Sequence, residues 1–499
     1  MPLPFRIPKT DNTITSPLTS FNEVSVSELY PAAQGDFIYG INNVVFISSS
    51  YSGGSTSGSN SFGIVKSGTS VTGSALISLR RNLKYRPGFG SLIRATCLFD
   101  TPVSGNAQLI GIGNAECGYY FGYYGTQFGI LHQETSQVEI RKLTVTTPAG
   151  TETITITLNG VSVGVPVVGG GDANQTSYQI AKYDFRNVGV GWQADAIDGT
   201  VYFTAGVSGP FTGSYSAVGS STFVGTFAGV LTGSTGTSSF IPQSSWNIDQ
   251  LCSNCGSEFV LNPQKGNVYQ IGFQYLGFGN AFFGIENPET GRIMPVHMIK
   301  NTNARTTAVL KNPQMTTELI SKNFGSSTSV QPKSLSMAAF TEGFARKLDP
   351  RFAASHTFSG YNSTTKAPLL ALKINAVYNN QTCFAEFDIL RIAASNESTN
   401  KTLTISVYKN LDINGVVNFQ YVDQTNSAVS YANLTPGTNT VTTTGKVPFL
   451  TFSVGANTAE TLDIAPEELV FGAGEIVVIC ISTSGAVTGE VGVNWFEQQ

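Results

Sequence analysis

The sequence predicts an all-β protein built from two β-sandwich domains, the first interrupted by a small α/β insertion. Three observations lead there. Short apolar segments recur along most of the 499 residues, separated by Gly, Asn, Ser and Pro, the punctuation of strands and turns. Where periodicity is clear it is two: Tyr269, Ile271, Phe273 and Tyr275 alternate with Gln270, Gly272 and Gln274, which places the aromatics on one strand face. Helical signals are sparse, the best candidate being Asn174 to Tyr183.

In chain order, residues 1–75 read as an arm with short strands. They contain Val44 to Ile47 and a Ser/Gly tract, Ser48 to Ser61, expected to be a flexible loop. Residues 76–344 carry the first sandwich. Within it, Gly118-Tyr119-Tyr120-Phe121-Gly122-Tyr123-Tyr124-Gly125 combines aromatics with glycines, a composition suited to tight hairpins and closely approaching backbones. The insertion spans 145–240. Thr151 to Leu158 forms one strand, Asn159-Gly160 supplies a two-residue hairpin turn, and Val161, Val163 and Val165 return. The helix and a strand over Gly199 to Ala205 complete a ββαβ pattern, and a Ser/Thr/Gly tract at 205–239 leads out. Residues 345–368 read as a linker. Residues 369–499 form the second sandwich, with strands over Leu370–Val377, Cys383–Ile392, Leu403–Tyr408, Val416–Val422, Leu450–Val454 and Glu475–Ile481.

Composition narrows the function. Only 12% of residues are charged, against roughly 25% in an average soluble domain. A surface covered by hydroxyls and amides repels copies of itself weakly, which suits either a neutral secreted or viral β protein or a chain built to pack into an assembly. The net charge of −4 argues against nucleic acid, whose phosphates need clustered Lys and Arg. Arg80, Arg81, Lys84 and Arg86 form the densest basic stretch, which a solvated strand rim explains. No segment approaches the roughly 20 apolar residues of a spanning helix, and the proline-broken start, Met1 to Pro8, predicts no cleaved leader. Six cysteines are too few for a disulfide scaffold.

Each catalytic or ligand-binding motif lacks a necessary partner, so neither an active site nor a cofactor is expected. Gly160-Val161-Ser162-Val163-Gly164 matches a nucleophile elbow in letters, but that elbow needs a following helix, and a Val-rich strand follows. Cys252-Ser253-Asn254-Cys255 has zinc-knuckle spacing without a second ligand pair; free thiols or a small disulfide are the simpler readings. Glu386 and Asp388 share a strand face and could serve a sandwich-fold glycosidase as nucleophile and acid. Arg391 stands where that pattern expects another acid, and an exposed strand face explains the pair. Gly111-Ile112-Gly113 opens like a phosphate loop, but Glu116 takes the third-glycine position. Sequons at Asn174, Asn362, Asn380, Asn396, Asn400 and Asn433 are near what chance supplies in this composition.

One ordered series goes beyond composition. It runs Lys84-Tyr85-Arg86-Pro87-Gly88, Gly118 through His132, Trp246-Asn247-Ile248-Asp249, Asn262 through Asn267, Gln274 through Gly279, Ile285-Glu286-Asn287-Pro288 and Pro295-Val296-His297. The insertion and the C-terminal Val493-Asn494-Trp495-Phe496-Glu497 accompany it. This series resembles virion-associated proteins of tailed phages and large DNA viruses, described as fibre, spike or capsid-surface components. The loop Cys252 to Gly256 departs from the Gly/Asp/Ser-rich sequence of that group. The resemblance implies lectin-like or jelly-roll sandwiches on a particle exterior, assembled in the host cytoplasm as a homo-oligomer beside other capsid or fibre proteins. A second reading is a lectin-like adhesin that is not part of a particle. On either reading, exposed aromatics near amides are the candidate host-glycan contacts, and Tyr124, Trp192 and Trp246 are the residues to examine.

Overall fold

In the computed structural model, which describes residues 28–169, 171–343, 350–465 and 469–498, the chain is all-β, with one α-helix among those residues. Two sheets make the first sandwich. Sheet A has six strands in the order Leu29–Asp36, Ser336–Glu342, Gly90–Cys97, Asn267–Phe273, Ala281–Glu286 and Ile293–Ile299. Sheet B has seven: Ser238–Pro242, Gln127–Gln133, Gly118–Tyr124, Asn106–Gly113, Thr316–Asn323, Ser74–Leu79 and Phe46–Tyr51. All neighbours are antiparallel, so side chains alternate between a shared core and an outer face. Tyr269, Ile271 and Phe273 of sheet A face Tyr119, Phe121 and Phe128 of sheet B, with Trp246 and Phe99 between them. Each such large side chain contributes about 1.5–3 kcal/mol on burial.

The glycine-aromatic run does what its composition suggests. Tyr120 lies on the outer face of sheet B along Gly113 and Gly118, where an added Cβ would come within 1.8 Å and 2.6 Å of its side chain. Its hydroxyl donates to Glu318 at 2.9 Å.

The insertion is richer in strand than a ββαβ unit. Its seven-stranded sheet C runs Val161–Val167, Glu152–Leu158, Ser216–Gly219, Val224–Leu231, Val138–Thr147, Thr200–Ser208 and Trp192–Ile197. The hairpin turn is at Asn159 and Gly160, with φ of 49° and 81°, the left-handed pair a tight hairpin requires. The helix spans Ala173–Ala181, capped by Asp172, whose carboxylate accepts from Gln175 N at 2.9 Å.

The second sandwich pairs sheet D (Arg351–Tyr361, Val487–Gln498, Glu386–Asn396 and Thr458–Asp463, with Val470–Gly472 also on Glu386–Asn396) with sheet E. Sheet E runs Gln420–Tyr421, Val429–Asn433, Ala367–Ile374, Ile476–Thr483, Leu403–Lys409 and Leu450–Val454. Sheet E is buried on both faces, which explains its continuous apolar runs. Leu370, Leu372, Ile479 and Ile481 face sheet D, while Ala371, Val478 and Cys480 face a second cluster. That cluster includes Tyr178, Ala196 and Ile197 of the insertion.

Three expectations are corrected. The described part of the 1–75 arm is sandwich: Leu29–Asp36 pairs with Ser336–Glu342 and Phe46–Tyr51 with Ser74–Leu79, while residues 1–27 lie outside the described residues. The Ser/Gly tract is ordered, because its glycines let backbones touch; a Cβ on Gly54 would sit 2.0 Å from Ser74 O. The 345–368 segment is no linker. Residues 344–349 lie outside the described residues, and Arg351–Tyr361 is the edge strand of sheet D. Its polarity comes from an outward face of Arg351, Ala353, Ser355 and Thr357.

Ion pairs join the units. Glu475 accepts from Arg80 at 2.6 Å and Lys409 at 2.5 Å. Asn82 N donates to Glu386 at 3.0 Å, with Lys84 at 3.6 Å. Lys373 pairs with Asp195 and donates to Ala196 O at 2.6 Å.

Candidate functional site

Tyr124 ends its sheet B strand where Gly125, at φ 63°, begins the turn to Gln127. The even-numbered residues of this strand face outward, so the ring stands on the outer face and is 43% exposed. It stacks on Phe324, also 42% exposed, with centroids 4.7 Å apart and planes 17° off parallel. On its other side Phe240 lies at 5.7 Å and 32°. Phe240 is rooted in a small apolar cluster of Ala107, Leu109, Tyr120 and Leu131. The result is a three-ring ladder, partly buried at one end and open at the other.

Buried amides hold the loops beneath it. Asn106 donates to Asn323 Oδ1 at 2.7 Å, and Asn323 donates to Gly68 O and Ser70 O at 3.0 and 2.8 Å. Gly125 N donates to Asn106 O at 2.7 Å and Phe324 N to Gly105 O at 2.8 Å. Ladder register sets Gln127 and Lys322 in the row of Tyr124. Exposed rings beside an amide and an ammonium can pack against the apolar face of a sugar and bond its hydroxyls.

The two tryptophans are a correction. Trp192, 2% exposed, packs between Phe211 and Tyr215 in the insertion core. Trp246, 4% exposed, packs against Phe121 and Phe128. Neither reaches the surface, because indole is the largest side chain available to fill a sandwich interior. Sequence reading missed Phe324 and Phe240. They come from strands distant in sequence, and only the order of sheet B brings them to Tyr124.

The remaining motifs are also placed. Ser162 is the second residue of its strand, its hydroxyl 2.8 Å from that of Thr157. Cys252 and Cys255 form a disulfide in an exposed loop. Glu116 is buried and paired with Lys311 at 2.9 Å. The expected exposed face of Glu386 and Asp388 is buried instead, 5% and 1% exposed, because Asn82 and Lys84 of the first sandwich pack on Glu386. Asn396 is buried, its amide donating to Lys401 O at 2.8 Å, so that sequon cannot carry a glycan in this fold. Among the described residues no three or more His, Cys, Asp or Glu are grouped to hold a metal, and no helix is long and apolar enough to cross a membrane.

A part-buried ion pair beside a buried histidine lies at the other end of sheet B. Arg305 donates to both oxygens of Glu134, at 2.7 and 2.5 Å, and holds its carboxyl below the usual range. His132 stacks on Tyr119 at 4.6 Å, and burial drives its pKa down to about 4.

No protein family and no curated protein matches the chain. Two solved structures show a faint likeness. One is lectin UEA-II complexed with galactose, 9% identical over 64% of this chain and 99% of that one, with a TM-score of 0.20. The other is lectin II from Ulex europaeus, 10% identical over 62% and 99%, with a TM-score of 0.21. Scores this low say nothing about ligand or site; the fold itself is an all-β sandwich arrangement.

Proposed function

We propose that the protein is a structural component of a virus particle's exterior, in a capsid-surface, vertex-spike, fibre or tail-appendage position, whose first sandwich contacts a host-cell glycan. The observation that carries the attachment role is the open ladder of Phe324, Tyr124 and Phe240 on an outer sheet face. Support for the particle comes from the ordered sequence series. Its segments supply the first sandwich with Tyr119, Phe121, Trp246, Ile285 and Val296, which all belong to one core. We assign the protein no catalytic role, and we infer a homo-oligomer from its sparse charge.

A glycan microarray probed with the labelled protein tests the attachment role. Wild type should bind a restricted set of glycans, and Tyr124→Ala with Phe324→Ala should abolish it while leaving the thermal midpoint within a few degrees. Equal signals from wild type and the double variant would remove the ladder from recognition. A free lectin-like adhesin draws on the same ladder, and purified particles separate the two readings: an adhesin is absent from them.

A further inference from the structure

We propose a second, separate binding surface on the outer face of sheet A, fitted to a flat β-1,4-linked oligosaccharide lying across the strands. It goes beyond the ladder reading and uses none of its residues. Strand register sets Phe340 beside Leu92, Leu92 beside Gly272, and Gly272 beside Phe282. Even-numbered residues face outward here, because Ile93, Ile271, Phe283 and Ala339 are core. Phe282 is half exposed and Phe340 partly so. The two rings stand three strand spacings apart, about 14 Å. Leu92 and the bare backbone of Gly272 make a low floor between them.

Polar groups flank this apolar row on both sides. One side carries Arg94 and Gln270, joined by a 2.8 Å hydrogen bond that sets the amide's orientation. The other carries Gln274 and Glu342, whose carboxylate folds across Gly90 where a Cβ would collide with it at 2.0 Å. A groove of about 450 Å³ covers the Leu92, Gly272 and Phe282 part of this row, walled by Ile293 and Pro295, within the range that holds a small ligand. Gly284 keeps it open: a Cβ there would meet Ile293 at 2.5 Å.

The ligand class follows from this arrangement. An apolar strip with hydrogen-bonding groups along both margins matches a chain whose rings show C–H faces and whose hydroxyls project from both edges. A β-1,4-linked ribbon has that shape, because its equatorial linkages keep successive rings nearly coplanar. One guanidinium and one carboxylate at the margins leave no net charge, so an uncharged chain fits.

Titration calorimetry with cellotetraose and chitotetraose tests the proposal on the whole chain. Wild type should bind at least one of them, Phe282→Ala should weaken binding tenfold or more, and Tyr124→Ala should leave it unchanged. Gly272→Val, which raises the floor, should weaken binding as Phe282→Ala does. Light scattering and thermal melts of each variant check assembly and folding. Three results would overturn the proposal: wild type binding neither sugar at millimolar concentration, Phe282→Ala binding as wild type does, or Phe282→Ala changing the oligomeric mass, which marks an interface between copies. Loss on Tyr124→Ala alone would sink this surface and leave the ladder standing.

Discussion

Asp195→Asn should loosen the insertion and the second sandwich together. Asp195 sits on the insertion and Lys373 on sheet E, and the Lys373 side chain is 6% exposed. Asp195 also accepts from Ala376 N at 2.8 Å. Removing one partner of a buried pair costs roughly 3–5 kcal/mol, because the other charge is left without compensation. Here the ammonium keeps Ala196 O at 2.6 Å and lies 4.6 Å from the ring centroid of Phe419, so the low end, about 3 kcal/mol, is expected. Lys373→Met should cost less, about 1–2 kcal/mol, since Asp195 keeps the Ala376 amide and some solvent. In the double variant no charge is buried, so its loss should fall about 2 kcal/mol short of the sum.

The chain carries its own reporters for this experiment. Its three tryptophans fall one to a unit: Trp246 in the first sandwich, Trp192 in the insertion and Trp495 in the second sandwich. Urea unfolding followed by fluorescence of single-tryptophan versions reads each unit separately. Asp195→Asn should move the Trp192 and Trp495 transitions together. A shift in one alone, or coupling under about 0.5 kcal/mol between the two substitutions, would show that the ion pair does not join the units.

Other outcomes follow from the buried titrating groups and the loop disulfide. His132 falls from an ordinary 6.5 to about 4 when folded, so the unfolded chain binds its proton first. That contribution is complete above pH 6.5 and is lost as pH falls toward 4, up to about 3 kcal/mol; His132→Phe should flatten this limb of a Tm-versus-pH curve. Burial raises Glu318 from 4.5 to about 7, with the opposite sign: stability is lost as pH rises from 4.5 through 7. Glu318→Gln keeps the partner of the Tyr120 hydroxyl and should raise stability above pH 7 by up to about 3 kcal/mol, and an unchanged Tm at pH 8 would contradict it. Reducing the Cys252–Cys255 bond opens only a four-residue loop, so mild thiol should cost at most about 2 kcal/mol and leave a single folded species by size-exclusion chromatography.

The sheets were legible where a local signal sufficed. Alternation revealed the Asn267–Phe273 strand, and Asn159-Gly160 revealed a hairpin through the conformation those two residues favour. The helix was visible as the segment rich in Asn, Gln and Ala, Asn174 to Tyr183. What escaped were strands rich in Ser, Thr, Gly and Ala, such as Ser55–Ser59 and Arg351–Tyr361. Such segments pair by backbone and lie at edges or in small sheets, so their side chains carry little hydrophobic pattern. The site was half legible. Tyr124 was found as an exposed aromatic, whereas Trp192 and Trp246 were misread because residue type cannot distinguish a platform from a core plug. Phe324, Phe240, Phe282 and Phe340 depend on strand order, which no local pattern encodes.

The central claim, a place on the outside of a virus particle, is tested most directly by quantitative mass spectrometry of purified particles after brief trypsin treatment of the intact surface. The account predicts that peptides of this chain are present at stoichiometric levels and are released early, ahead of peptides from interior proteins. Absence of the chain from particles, or its release only after the shell is broken, would contradict it.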